Sequence, residues 1–164
     1  MRKQLIMAIA GRIREQVPDV RHIDVFNEQI ANAASGIPFP LPAVLIEFEE
    51  VVYKQLANHC TTADVPIRLH IITRTVQTNG ANAKNFEESL SYLDTIDNVN
   101  KALSTLNGDC FSTFMHIGSA TNHNHAELLE SVERYVTRII DKTPLRTASV
   151  VKPDSVIISK VFGG

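Results

Sequence analysis

Apolar residues recur along this chain in two rhythms, one of three to four residues and one of two. Between residues 2 and 16, Ile6, Ile9 and Ile13 share one face, while Arg2, Arg12 and Glu15 lie away from it. That spacing predicts an amphipathic helix. Val17-Pro18-Asp19 stops it, because the residue before a proline is steered out of helical backbone. His22–Glu28 then alternates apolar with polar, the period of a strand. In the loop 31–42, Pro38, Pro40 and Pro42 stand at every second position, which holds its end extended and forbids helix. Ala43-Val44-Leu45-Ile46-Glu47-Phe48-Glu49-Glu50 follows as a proline-entered, β-branched run edged with charge, and Val51–Leu56 prolong it past a bend. A second run over 65–76 predicts its neighbour in one sheet. There, Ile67, Leu69 and Ile71 make a core face. Arg68, His70, Ile72 and Arg74 make a mixed face open to cover by a partner.

After a polar loop at 77–83, residues 85–106 carry Leu90, Leu93, Ile96, Val99, Leu103 and Leu106 at steps of three and four. This is the best helix of the chain, and Asn107-Gly108 suits a left-handed cap. Phe111, Phe114, Met115 and Ile117 suggest a strand ended by Gly118. Residues 126–141 fit both periods: Leu128, Leu129, Val132, Val136, Ile139 and Ile140 for a helix, odd and even positions from Leu129 for the two faces of a strand. The β-branched content of Val132–Ile140 favours strand. Residues 142–164 hold Pro144, Pro153 and the apolar patches Val150-Val151 and Val156-Ile157-Ile158. They read as an extended arm that either closes the domain's own sheet or adds to the sheet of a neighbour.

The fold class expected is therefore α+β. A single sheet of about four to five mostly antiparallel strands is packed by an N-terminal helix and a longer central helix. Domain 1–141 is followed by the arm 142–164. A chain of 164 residues with 44% apolar and 21% charged residues can bury one core, which argues against disorder. A net charge of −2 argues against nucleic-acid binding as the main task. Cys60 and Cys110 lie in no metal or redox spacing and read as incidental thiols. Met1–Ala10 superficially resembles a leader, yet charge returns at helical spacing from Arg12, so it reads as a mature helix. No run approaches the ~18 apolar residues of a membrane span, so no membrane is expected.

Candidate chemistry is thin. His123-Asn124-His125 places two rings on one side of an extended chain, as two metal ligands require, with Asp109, Glu127 or Glu47 as possible companions. This motivates one alternative, a small metal-dependent hydrolase; a polar loop is the plainer reading. Glu47, Glu49, Glu50 and Lys54 loosely follow the acidic-strand-then-lysine order of metal-dependent nucleases, at poor spacing. Asp94 and Asp97 stand three apart on the long helix with no second carboxylate to pair with. There is no Gly-x-Ser-x-Gly elbow and no glycine-rich phosphate loop. Arg68, His70 and Arg74 form a basic strip better suited to Glu47, Glu49 or Glu50 of another copy than to nucleic acid. Acidic and basic strand faces segregated on one chain suit head-to-tail rings.

Four features together resemble the phage tail-terminator and tail-completion (neck) proteins. They are the leading helix Arg2–Gln16, the strand Pro42-Ala43-Val44-Leu45-Ile46-Glu47-Phe48, the long apolar strand Val65–Thr75, and the helix Asp94-Thr95-Ile96-Asp97-Asn98-Val99-Asn100-Lys101-Ala102-Leu103. Glu133–Asp141 resembles that family's last core strand. The resemblance spans about residues 1–141. It implies a virion protein assembled in the bacterial host cytoplasm: a hexameric ring at the head-proximal end of a tail that stops tube growth or joins tail to head. It implies tail-tube and connector partners, DNA passage without sequence-specific binding, no cofactor and no catalytic residues. Subunit contacts are expected at Glu47, Glu49, Arg68, His70, Arg74, Val156 and Ile158, with Lys84 or Arg74 facing the lumen. A second alternative is a monomeric adaptor domain.

Overall fold

The computed structural model describes residues 1–30, 38–56, 60–75, 80–122 and 128–141. His123, His125, Glu127 and the arm with Val156 and Ile158 lie outside the described residues, as do parts of the loops 31–42 and 77–83. The order is α1 (Arg2–Gln16), β1 (His22–Val25), β2 (Ala43–Phe48), β3 (Lys54–Gln55), β4 (Thr61–Arg74), α2 (Phe86–Ser89), α3 (Ser91–Ser104), β5 (Met115–Asn122) and β6 (Leu128–Asp141). The strands form one mixed sheet in the order β1-β2-β4-β6-β5, with β3 paired to the start of β4. Only β1–β2 is parallel; the other pairs are antiparallel. The α+β expectation holds, and Leu128–Asp141, within the segment that fitted both periods, is a strand.

Sheet alternation explains the layers. Val44 and Ile46 of β2, Val65, Ile67, Leu69 and Ile71 of β4, and Tyr135 and Ile139 of β6 all face one side. There they meet Leu5, Ile9 and Ile13 of α1 and Ile96, Val99 and Leu103 of α3 in the main core. Each such aliphatic side chain, fully removed from water, contributes about 1.5–3 kcal/mol. A smaller cluster covers one corner of the opposite face: Ile30, Ala43, Leu45, Ile72 and Leu128, with Phe26, Phe39 and Leu41 packed against it. No helix among the described residues is long and apolar enough to cross a membrane.

Several expectations are corrected. The long helix is broken at Leu90 into α2 and α3. Leu90 and Leu93 are exposed although their spacing continues the apolar stripe, because the stripe runs past the part of α3 that faces the core. In α1 the buried row is Leu5, Ile9 and Ile13, and Ile6 is only partly covered. The bend after β2 leads to a strand of two residues, β3. Gly108 is not a left-handed cap, since α3 ends at Thr105 in right-handed backbone. Its role is close approach: a Cβ there would come within 2.6 Å of the Phe111 ring. Gly118 does not end a strand either. It lies inside β5, at a register shift between His116 and Gly118.

Candidate interaction surface: the open sheet face and its edges

The even positions of β4 and β6 and the odd positions of β2 point away from the helices, and outside the small corner cluster this face has no second layer among the described residues. Its centre is a row of charges made by register. Glu47 pairs across to Arg68, which pairs across to Arg134, while His70 stands opposite Leu45 and Val132. Arg68 Nε donates to Glu49 Oε1 at 2.6 Å, and its Nη1 lies 3.4 Å from Glu47 Oε2. Arg134 grips the same Glu49 carboxylate through two nitrogens, at 2.9 and 3.0 Å. The hydrogen bonds from Arg134 hold the Glu49 carboxyl below the usual carboxylate range; desolvation opposes this, and Arg68 reinforces it.

His70 is the buried hub. Its Nδ1 lies 2.6 Å from Glu130 Oε1 and its Nε2 lies 3.1 Å from Glu47 Oε2. The Phe26 ring stacks on the imidazole at a centroid distance of 4.0 Å. Asn122 Nδ2 of β5 donates to the other Glu130 oxygen at 2.6 Å. Charges from β2, β4 and β6 and the Asn122 amide of β5 are thereby fastened into one network bordering a shallow groove of about 580 Å³. Further along the same face Arg138 of β6 pairs with Asp64 of β4 at 2.8 Å. That bond is the main cause lowering the Asp64 carboxyl.

The residues proposed for subunit contacts thus fall into two groups. Glu47, Glu49, Arg68 and His70 are brought together, and each meets a partner of opposite chemistry within its own chain. Arg74 is exposed at the end of β4, opposite Leu128, with no ion pair among the described residues. Lys84 is also exposed. Glu47 and Glu49 share Arg68, so the cation between them is a guanidinium. Asp94 and Asp97 are exposed on α3. No group of three or more metal-ligating side chains occurs among the described residues. Sequence reasoning passed over Phe26, Asn122, Glu130 and Arg134. The four-residue spacing of Glu130 and Arg134, which puts both on one strand face, was the available signal.

A second polar cluster lies on the helix side at the β5 edge. Glu133 is fully buried, and its carboxylate accepts from Ser119 Oγ and Ser131 Oγ, both at 2.7 Å, with His116 Nε2 also 2.7 Å away. Beside it, Tyr135 donates its hydroxyl to Asn100 of α3. Burial, then the Glu133 charge, push the Tyr135 phenol well above its ordinary value.

No protein-family model matches the chain, and no curated protein does. Among solved structures, a chain from the virion of a native gene transfer agent particle is similar at 13% identity and a TM-score of 0.48. The match covers 84% of this chain and 95% of that one.

Proposed function

We propose that this protein is a structural, non-enzymatic subunit of a phage-like virion, a tail-terminator-like or neck protein that works as a sixfold ring at the head-proximal end of the tail. The observation that carries the reading is a sheet left open on one face and at one edge by the described residues. Exposed Met115 and Ile117 on β5 and Ile140 on β6 stand beside charges that already neutralise one another. Apolar side chains set among satisfied charges suit a surface that docks without stranding an ion. The order of elements, helix, proline-entered strand, long strand, packed helix and closing strand, supports the resemblance drawn from the sequence. In such a ring the arm with Val156 and Ile158 and the strip Arg68, His70 and Arg74 lie at or near subunit contacts. Tail tube and connector are the partners, and DNA passes the lumen without base-specific contacts.

Negative-stain electron microscopy of the concentrated protein, with sedimentation velocity on the same sample, tests this. Rings of six are the expected result. A monodisperse monomer at every concentration refutes the ring.

A further inference from the structure

The two edges of the sheet are built differently. At the end of β1 the Val25 backbone is occupied by side chains: Asp24 Oδ1 accepts from the Val25 N–H at 2.7 Å, and Gln29 Nε2 donates to the Val25 carbonyl at 2.7 Å. The same Gln29 accepts from the Asn27 N–H. The strand is four residues long and carries the charge of Asp24. A short strand and a charged side chain are devices by which sheet edges are closed to further strands. β5 has twice the length, reads Met-His-Ile-Gly-Ser-Ala-Thr-Asn, and holds neither a proline nor a Lys, Arg, Asp or Glu. Its side chains are exposed nearly throughout. The register shift near Ile117 is its one protective feature, and Gly118–Asn122 beyond it run in regular register with β6.

We infer that the sheet grows through β5, and that the strand added there is residues 155–160 of a second copy of this chain. The inference rests on the ring reading above and names the contact that closes it. The segment is Ser-Val-Ile-Ile-Ser-Lys, β-branched at its centre, with Val156 and Ile158 on one face. It matches the uncharged, small-residue edge, Gly-Ser-Ala-Thr-Asn, better than the charged β1 edge does. The described chain ends at Asp141, beside Thr61 at the far end of the sheet from the Asn122–Glu130 pair. Residues 142–155, extended at about 3.3 Å each, reach up to ~45 Å, enough to cross to an adjoining subunit. A donor strand that leaves one copy and enters the next is a head-to-tail contact, the kind that closes into rings.

The test uses the full-length chain. Thr121→Lys places a charge on the exposed β5 edge, V156K/I158K places two on the donor, and Val25→Lys places one on the closed β1 edge as a control. Circular dichroism first establishes that each variant keeps the parent's helix and strand signal. Sedimentation then reads the concentration of half-assembly, which should rise about tenfold or more for T121K and for V156K/I158K and stay unchanged for V25K. A Thr121→Cys, Ile158→Cys pair, in a chain with Cys60 and Cys110 changed to Ser, should oxidise to cross-links between chains. Cross-links within one chain overturn the inference. A ring that forms as well in T121K as in the parent overturns it while leaving the ring reading intact. A parent that is monomeric at every concentration overturns both.

Discussion

Replacing Glu133 by alanine is the most demanding test of how the β5–β6 pair is held. The carboxylate is fully buried and has three partners, His116, Ser119 and Ser131, each at 2.7 Å. Their fates after Glu133→Ala differ. His116 and Ser119 are exposed and recover water. Ser131 is buried and loses the carboxylate that its hydroxyl serves, at a cost of about 1–3 kcal/mol. Breaking a fully buried charged pair costs about 3–5 kcal/mol, an upper bound here because the His116 side chain is 40% exposed. Because two of the partners rehydrate, we expect about 2–4 kcal/mol. Glu133→Gln keeps the volume and two of the contacts and should cost about 1–2 kcal/mol. Urea denaturation followed by circular dichroism measures both, with the m-value checked for constancy. For a chain of this size, a loss of about 3 kcal/mol lowers the Tm by about 6–12 °C. A double-mutant cycle with His116→Ala isolates the His116–Glu133 contact, where about 0.5–3 kcal/mol of coupling is expected. If Glu133→Ala costs under ~1 kcal/mol at constant m, the cluster does not hold the edge strand and the reasoning fails.

The lowered Glu49 carboxyl makes a stabilising contribution that is present above the unfolded carboxylate value and lost as pH falls through the lower folded one. Acid titration of stability should therefore be flatter in Glu49→Gln, and an unchanged acid limb would contradict the pairing with Arg134. Tyr135, whose phenol is raised by burial, should ionise after the other tyrosines in an alkaline absorbance titration. Its contribution is complete below the unfolded value near ~10 and lost as pH rises toward the folded one. Gly108→Ala drives a methyl into the Phe111 ring and should cost about 1–3 kcal/mol, read by thermal melting. Leu93→Lys should change stability by less than ~0.5 kcal/mol, whereas Ile96→Ala, one turn on and buried, should cost about 2–5 kcal/mol.

Much of the fold was legible because the core uses simple periods. Ile67, Leu69 and Ile71 announce a strand face, and Ile9 and Ile13 a helix face, before any neighbour is known. Leu90 and Leu93 misled because a helical stripe records which face is apolar and says nothing about where the sheet beneath it stops. Residues 128–141 fitted both periods because β6 is central and carries apolar side chains on both faces. Gly118 read as a terminator because a glycine in a strand pattern marks either an end or an irregularity, and here it stands at a register shift inside β5. The ion network was the least legible part. Arg134 meets Glu49 only because β6, β4 and β2 lie side by side, an order that no local pattern encodes. Glu133 occupies a core position of β6, yet as a letter it reads as surface. The basic strip on β4 was visible, but Glu130, the partner of His70 two strands of chain away, was not.

The central ladder of the sheet joins β4 to β6 over fourteen residues each, and Thr62 bonds Ile139 across 77 residues of chain. A ribosome extends a polypeptide at about 5–20 residues per second. For several seconds after β4 has emerged beside β2, its other flank waits for a strand not yet translated. Loop closure of that span comes late and slowly. During that interval β4 offers a nascent chain its longest unmet row of backbone groups. Overproduction of the protein should thus be limited by how fast β6 arrives, and holding chaperones should raise yield without altering the stability of the finished fold.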